Sequence, residues 1–190
     1  MKIGLYFGSF NPIHIGHLII ANFVAQNSDI QQIWFVVSPQ NPLKKSSTLL
    51  NEYDRLYMVR TAIENNVRFR ASDIEFKLPR PSYTIDTLTY LKEKYPQNEF
   101  TVILGSDSLQ NISKWKNSDL LLKNYTLQVY QRPGFEVQSS PEKNIHLLAA
   151  PLLDISSTYI RTAIQQGKSI QYLVPDKVLE EIERNGYYKN

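Results

Sequence analysis

Residues 3–17 impose a strand, a glycine-bearing turn and a helix, in that order. Ile3-Gly4-Leu5-Tyr6-Phe7 is a short apolar strand, Gly8-Ser9-Phe10-Asn11-Pro12-Ile13-His14-Ile15-Gly16-His17 is the turn, and Leu18, Ala21 and Ala25 then share a helical stripe with Ile20, Phe23 and Val24 beside it. This layout suits an anion, because the first N–H groups of a helix lack intrahelical acceptors and carry the positive end of its dipole. Gly8 permits close backbone approach. His14 and His17 are spaced to project toward one mouth if the helix begins near Ile15. The chain has 3 histidines, and two stand here. A single His at a helix start, taken alone, is more readily a cap or a packed core residue. His-x-x-His could also chelate zinc, but with no Cys in the chain the other ligands would have to be His146 and a carboxylate.

With 190 residues, 42% of them hydrophobic, the chain can bury one sizeable core, and a single domain over residues 1–190 is expected. A net charge of +3 suits anionic ligands. Its Lys and Arg residues are scattered, with no basic stripe, which argues against nucleic-acid binding. The lack of Cys excludes disulfides and thiolate chemistry and fits a reducing compartment. The first apolar run is interrupted by Gly8 to Pro12, which rules out a signal-peptide core, and no stretch is long enough to span a bilayer. The expected location is the cytoplasm, with no membrane partner.

Downstream, strand-like and helix-like stretches alternate. Gln32 to Ser38 reads as a buried strand, and Asn51-Glu52-Tyr53-Asp54 opens a helix with Leu56, Val59 and Ile63 on one face. A strand is expected over Phe69 to Phe76, then a helix carrying Ile85, Leu88 and Leu91, then a strand at Phe100 to Leu104 ending in Gly105-Ser106-Asp107. Further apolar runs span Thr126 to Tyr130 and Ile145 to Ala150. A helix from about Thr158 to Gln166 stops at Gly167, and a solvated helix with Val178, Leu179 and Ile182 inward runs from Pro175-Asp176 to about Gly186. The alternation predicts an α/β fold, a Rossmann-like parallel sheet flanked by helices, with ligands gathered at the carboxyl ends of the strands.

Phosphoryl chemistry between nucleotides needs polyanions held in line and donors placed where charge develops, without a protein nucleophile. Ser156-Ser157-Thr158 with Arg161 adds a second helix start carrying hydroxyls and a cation. Read alone, the hydroxyls are an ordinary cap and Arg161 a solvated charge.

The turn at Gly8 to His17 resembles the Gly-x-Phe-x-Pro-x-His-x-Gly-His signature of HIGH-type nucleotidyltransferases, and Ile155-Ser156-Ser157-Thr158-Tyr159-Ile160-Arg161 resembles their second signature. Pro81-Ser82-Tyr83-Thr84, Gly105-Ser106-Asp107-Ser108-Leu109 with Trp115 downstream, and Arg132-Pro133-Gly134 together resemble bacterial nicotinate-nucleotide adenylyltransferases along essentially the whole chain. The resemblance implies the HIGH-type fold and adenylyl transfer from ATP to nicotinate mononucleotide, giving deamido-NAD and pyrophosphate. It implies an ATP site at Gly8, Ser9, Phe10, His14, His17, Gly105, Asp107, Ile155, Ser156, Ser157, Thr158 and Arg161, with His14, His17 and Arg161 catalytic. Acceptor binding is implied for Lys44, Ser82, Tyr83, Thr84, Trp115 and Arg132, with Lys45 the rival of Lys44. Mg²⁺ is expected on the ATP phosphates, with no metal ligand from the protein, and a homo-oligomer is left open. Trp115 offers a flat face to a pyridinium, or else is a plain core aromatic.

This sequence departs from the family pattern at Ser9, Asn11, Leu43 and Lys116, where Gly, Asp, His and an aromatic residue are common. Rival readings are an adenylyltransferase acting on nicotinamide mononucleotide or phosphopantetheine, and a nucleotide-binding module without turnover.

Overall fold

The computed structural model describes residues 1–40, 49–137, 143–151 and 153–189. The stretch carrying Leu43, Lys44 and Lys45 lies outside them. Strands β1 (Lys2–Gly8), β2 (Gln32–Val37), β3 (Phe69–Ser72), β4 (Glu99–Gly105), β5 (Thr126–Tyr130) and β6 (Ile145–Leu148) form a 6-stranded sheet in the order β3-β2-β1-β4-β5-β6. Every neighbouring pair is parallel; Leu5 lies opposite Trp34 on one side and Val102 on the other. Helices α1 (Ile15–Asn27), α2 (Glu52–Ile63), α3 (Thr84–Lys94), α4 (Ser106–Gln110), α5 (Ser118–Asn124), α6 (Ser157–Gln165) and α7 (Asp176–Asn185) make the connections and the C-terminal part. Among the described residues no helix is long and apolar enough to cross a membrane.

The unbroken apolar character of β2 follows from burial on both faces. Ile33, Phe35 and Val37 pack with Val24 of α1, Val59 of α2, Ile160 of α6 and Val178 of α7. Trp34 and Val36 pack on the opposite face with Leu88 of α3 and Leu121 of α5. The strand order reverses between β1 and β4, where the outgoing chains diverge and leave a crevice at the strands' carboxyl ends. The turn bearing His14 and the turn bearing Asp107 leave the sheet on either side of it.

The expected strand over Phe69 to Phe76 stops at Ser72, which pairs with Val36, one residue before β2 ends. The chain then turns into a 3₁₀ segment, Ile74–Lys77, in which Phe76 N–H donates to Asp73 C=O at 2.9 Å. Helix α6 starts one residue earlier than expected, at Ser157, because Ser156 Oγ accepts the Tyr159 N–H at 3.1 Å. Gly167 and Gly186 follow α6 and α7 with φ of +67° and +65°, the left-handed conformation that glycine adopts at low cost. Val178 and Ile182 of α7 face inward as expected; Glu181, also buried, makes the helix less fully solvated than its sequence reads.

Candidate active site

The turn after β1 is built from rings over glycines. Phe10 has φ +45° and is buried; its ring lies against Gly8, where a Cβ would stand 2.9 Å from it, and edge-on to His17 at 5.0 Å. The clearance at Gly8 therefore accommodates the Phe10 ring, not the close approach of a ligand. A Cβ on Gly16 would likewise stand 3.1 Å from the His14 imidazole. The two imidazoles stack, with centroids 3.7 Å apart and planes 29° from parallel. The His14 N–H donates to His17 Nδ1 at 3.2 Å. Nδ1 is thereby the acceptor, so a neutral His17 carries its proton on Nε2.

The first turn of α1 offers fewer free donors than its sequence suggests. The Ile15 N–H is taken by Leu173 C=O at 2.9 Å, and the His17 and Leu18 N–H groups both reach His14 C=O. Among the described residues only the Gly16 N–H of that turn has no backbone acceptor.

His14 is 6% exposed, and its Nδ1 has no hydrogen-bond partner. Burial, with the nearby Arg132 charge, lowers its pKa from 6.5 to about 4, so it is neutral at pH 7. Between those values the unfolded chain binds a proton that the folded one refuses. The contribution of His14 to stability is therefore flat above pH 6.5 and falls by about 3 kcal/mol as the pH drops toward 4. Urea unfolding at pH 7 and pH 4.5 should show His14→Asn losing less stability on acidification than the parent; equal losses would contradict the assignment.

The two motifs meet directly. Ser157 Oγ donates to Pro12 C=O at 2.9 Å, and Arg161 Nη1, 150 residues from its partner in sequence, donates to Asn11 C=O at 2.8 Å. Arg161 Nη2 reaches Thr158 Oγ1 at 3.3 Å. With the Tyr159 N–H capped by Ser156, the Ser157 and Thr158 N–H groups have no acceptor among the described residues. The start of α6 is thus fastened beside the stacked histidines with two donors unspent.

Across the crevice, the end of β4 supplies the acceptors. Arg132 N–H donates to Ser106 Oγ at 2.8 Å, and the Arg132 guanidinium pairs with Asp107 Oδ2 at 3.2 Å. A Cβ on Gly105 would collide with the Asp107 carboxylate and stand 2.8 Å from the Arg132 stem, so only glycine allows both to fold over this position. Asp107 Oδ1 is buried without a partner. His14, His17, Asp107, Arg132, Leu153 and Ile155 line a common cavity of about 250 Å³. Arg132, expected on the acceptor side, lines the same cavity as the histidines. Ser9 and Phe10 support this site from beneath, through a carbonyl and a ring.

Of the other residues expected to bind the acceptor, Ser82, Tyr83 and Thr84 stand at the start of α3 and do not line that cavity. Tyr83 precedes the helix and Thr84 is its first residue. The Thr84 and Ile85 N–H groups have no acceptor among the described residues. Lys116 Nζ lies 5.0 Å from the Tyr83 ring centroid and bonds to Asp86 at 2.8 Å, so this departure from the pattern fastens the Trp115 segment to α3. Trp115 packs half-buried against the side of the core that holds Trp34, Val36 and Leu88. The Ser82 hydroxyl is buried and donates to Glu75 at 2.8 Å, which commits it to the protein instead of to a ligand.

A family profile described as cytidylyltransferase-like matches residues 5–163. A Cytophaga hutchinsonii protein named probable nicotinate-nucleotide adenylyltransferase is 56% identical over 191 residues, covering 100% of both chains. The chain belongs to the nicotinate-nucleotide adenylyltransferase family. A Flavobacterium johnsoniae member of the same name is 53% identical over 194 residues, again covering 100% of each. The solved Plasmodium falciparum nicotinic acid mononucleotide adenylyltransferase complexed with NaAD has a TM-score of 0.86 at 23% identity, over 98% of this chain and 97% of that one, which shows a shared fold.

In this member of the adenylyltransferase family, one structural residue of the site escaped the sequence reading. Arg55 of α2 is 0% exposed. Its Nε donates to Leu50 C=O at 2.8 Å, Nη1 to Ser38 C=O at 2.8 Å and to Ser9 C=O, and Nη2 to Pro39 C=O at 3.0 Å. It thus ties the histidine turn to the exit of β2 and to the segment entering α2. Burial lowers its pKa, and the carbonyls take four of its five N–H donors without a carboxylate. The available signal was its position, one turn before Val59 on the buried stripe of the helix.

Proposed function

We infer that this protein transfers the adenylyl group of ATP to nicotinate mononucleotide, forming deamido-NAD and pyrophosphate. The observation that carries this reading is the joining of both motifs around one cavity, with stacked imidazoles facing the Asp107–Arg132 pair. An oxygen of the acceptor's 5′-phosphate attacks the α-phosphorus of ATP, the bond to the β-phosphate oxygen breaks, and pyrophosphate leaves with both electrons of that bond. The protein supplies position and donors for this in-line step. His17 donates Nε2–H to a phosphate oxygen as charge develops, and His14 acts as a neutral donor beside it. Arg161 and the free N–H groups of α6 hold the departing phosphates, and Asp107 Oδ1 accepts a ribose hydroxyl.

The free N–H groups at the start of α3 favour an acceptor base bearing a carboxylate over a neutral amide, and Trp115 offers a stacking face. Mg²⁺ would be carried by the ATP phosphates, whose oxygens suit this hard cation, and would supply charge neutralisation there. Among the described residues no group of three His, Asp or Glu side chains is placed to hold a metal.

Pyrophosphate release from ATP and Mg²⁺ is to be measured with nicotinate mononucleotide, nicotinamide mononucleotide and phosphopantetheine offered separately. Release should be fastest with the first. Faster release with another acceptor would overturn the substrate, and no release from folded, ATP-binding protein would overturn the activity. The variant Thr84→Pro sharpens the test. Thr84 is the first helical residue, where proline is tolerated, and Tyr83 before it is already extended at φ −121° and ψ 141°. The change removes one N–H and leaves α3 standing. Preference for nicotinate over nicotinamide mononucleotide should fall about tenfold, the equivalent of one charge-assisted hydrogen bond; unchanged preference would contradict the pocket.

A further inference from the structure

Glu75 is a buried carboxylate that the reaction above does not use. It is 2% exposed and lies in the 3₁₀ segment after β3. Ser82 Oγ donates to its Oε2 at 2.8 Å and Thr87 Oγ1 to its Oε1 at 2.9 Å, and the Ser38 side chain is a third hydrogen-bonding neighbour. Burial raises its pKa, while these hydroxyl bonds work in the opposite direction. A carboxylate that accepts hydroxyl protons on both oxygens holds its donors in a defined geometry, because its four lone-pair sites lie in one plane.

Those donors belong to the elements that bear on the acceptor. Ser82 is the second residue before α3, Thr87 lies in its first turn, and Ser38 ends the β2 exit that Arg55 also fastens. The α3 start has no cap of its own: the Tyr83 side chain makes no capping bond. An uncapped helix start is the part of a helix most free to fray, and here its flanking hydroxyls are bonded to Glu75 underneath.

We propose that Glu75 is a positioning residue for selection of the acceptor base: through Ser82 and Thr87 it holds the start of α3 so that the Thr84 and Ile85 N–H groups meet the carboxylate of the pyridine. This rests on the reading of the α3 start as the acceptor pocket. Glu75 touches neither substrate, so its effect is carried entirely by the placement of that first turn. The ATP cavity is fastened chiefly by contacts of Arg161, Ser157 and Arg132 in which Glu75 takes no part.

The test is steady-state kinetics on the full chain with Glu75→Gln and Glu75→Leu, varying ATP and nicotinate mononucleotide separately. The glutamine keeps the shape and one carbonyl acceptor, while the leucine keeps only the bulk. KM for nicotinate mononucleotide should rise about tenfold in Glu75→Leu and less in Glu75→Gln, with KM for ATP within about twofold of the parent. Preference over nicotinamide mononucleotide should fall in the same order. If Glu75→Leu does not fold, Ser82→Ala and Thr87→Val each remove a single donor and should move the same two quantities less. Unchanged acceptor KM and preference in folded variants would overturn the proposal. So would a fall in kcat with both KM values shifting alike, the mark of a merely structural role. Should the parent protein prefer a different acceptor, the substrate reading fails on its own. Glu75 is then judged by whether that acceptor's KM moves while that of ATP stays.

Discussion

His17→Ala is expected to lower kcat about a hundredfold or more while the chain remains folded. A donor aimed at charge that develops on the transferring phosphoryl group is worth on the order of 3 kcal/mol, because it acts preorganised and away from bulk water. Three contacts prepare His17 for that role in the proposed reaction. Its Nδ1 accepts the His14 N–H, which leaves Nε2 to carry the proton, and the rings of Phe10 and His14 hold its plane. His17 also caps the start of α1 through that Nδ1, so the alanine removes a structural bond together with the donor. His17→Asn separates the two roles, since its side-chain oxygen can accept the His14 N–H without supplying a group at the position of Nε2. Single-turnover rates and thermal unfolding should show both variants slow, with the asparagine variant the more stable. A folded His17→Ala protein with near-normal turnover would remove His17 from the chemistry.

Arg55→Met is expected to cost about 3–5 kcal/mol of stability, the range seen when a buried, hydrogen-bonded charge is removed and its partners remain. The methionine fills much of the arginine stem, so the loss reads the unpaired carbonyls of Ser9, Ser38, Pro39 and Leu50 more than a cavity. For a chain of this size that corresponds to a fall in Tm of about 10 °C. Arg55→Lys keeps the charge, but its ammonium cannot reach carbonyls on three segments with the planar fork of a guanidinium; it should fall between the two. A Tm within about 2 °C of the parent for Arg55→Met would show that these carbonyls are satisfied by other means.

The acid sensitivity of His14 and the stability of Arg55 are consequences of burial, and burial marks the limit of what the linear chain discloses. Helices with a strong apolar stripe were legible, as Leu56, Val59 and Ile63 in α2 and Ile85, Leu88 and Leu91 in α3 show. So were their ends at Asn51, Gly167 and Gly186, and the start of α6 to within one residue, because a cap is a contact within a few residues of chain. Both motifs that meet at the cavity could be read as well, since each is one continuous turn.

By itself the sequence determined the alternation of strands and helices, the two helix starts suited to phosphate, and the residue types gathered there. These depend on side-chain period and on backbone groups a few positions apart. Only the tertiary structure decided which of those groups remain free. It brought Leu173 onto the Ile15 N–H, folded Phe10 over Gly8, joined Arg161 to Asn11, and bent the chain after β3 so that Glu75 lies under α3. The physical reason is that a buried polar group must find its partner wherever the packing of distant elements places one. The identity of that partner depends on which strand ends become neighbours across the sheet, and the local pattern of residues carries no record of it.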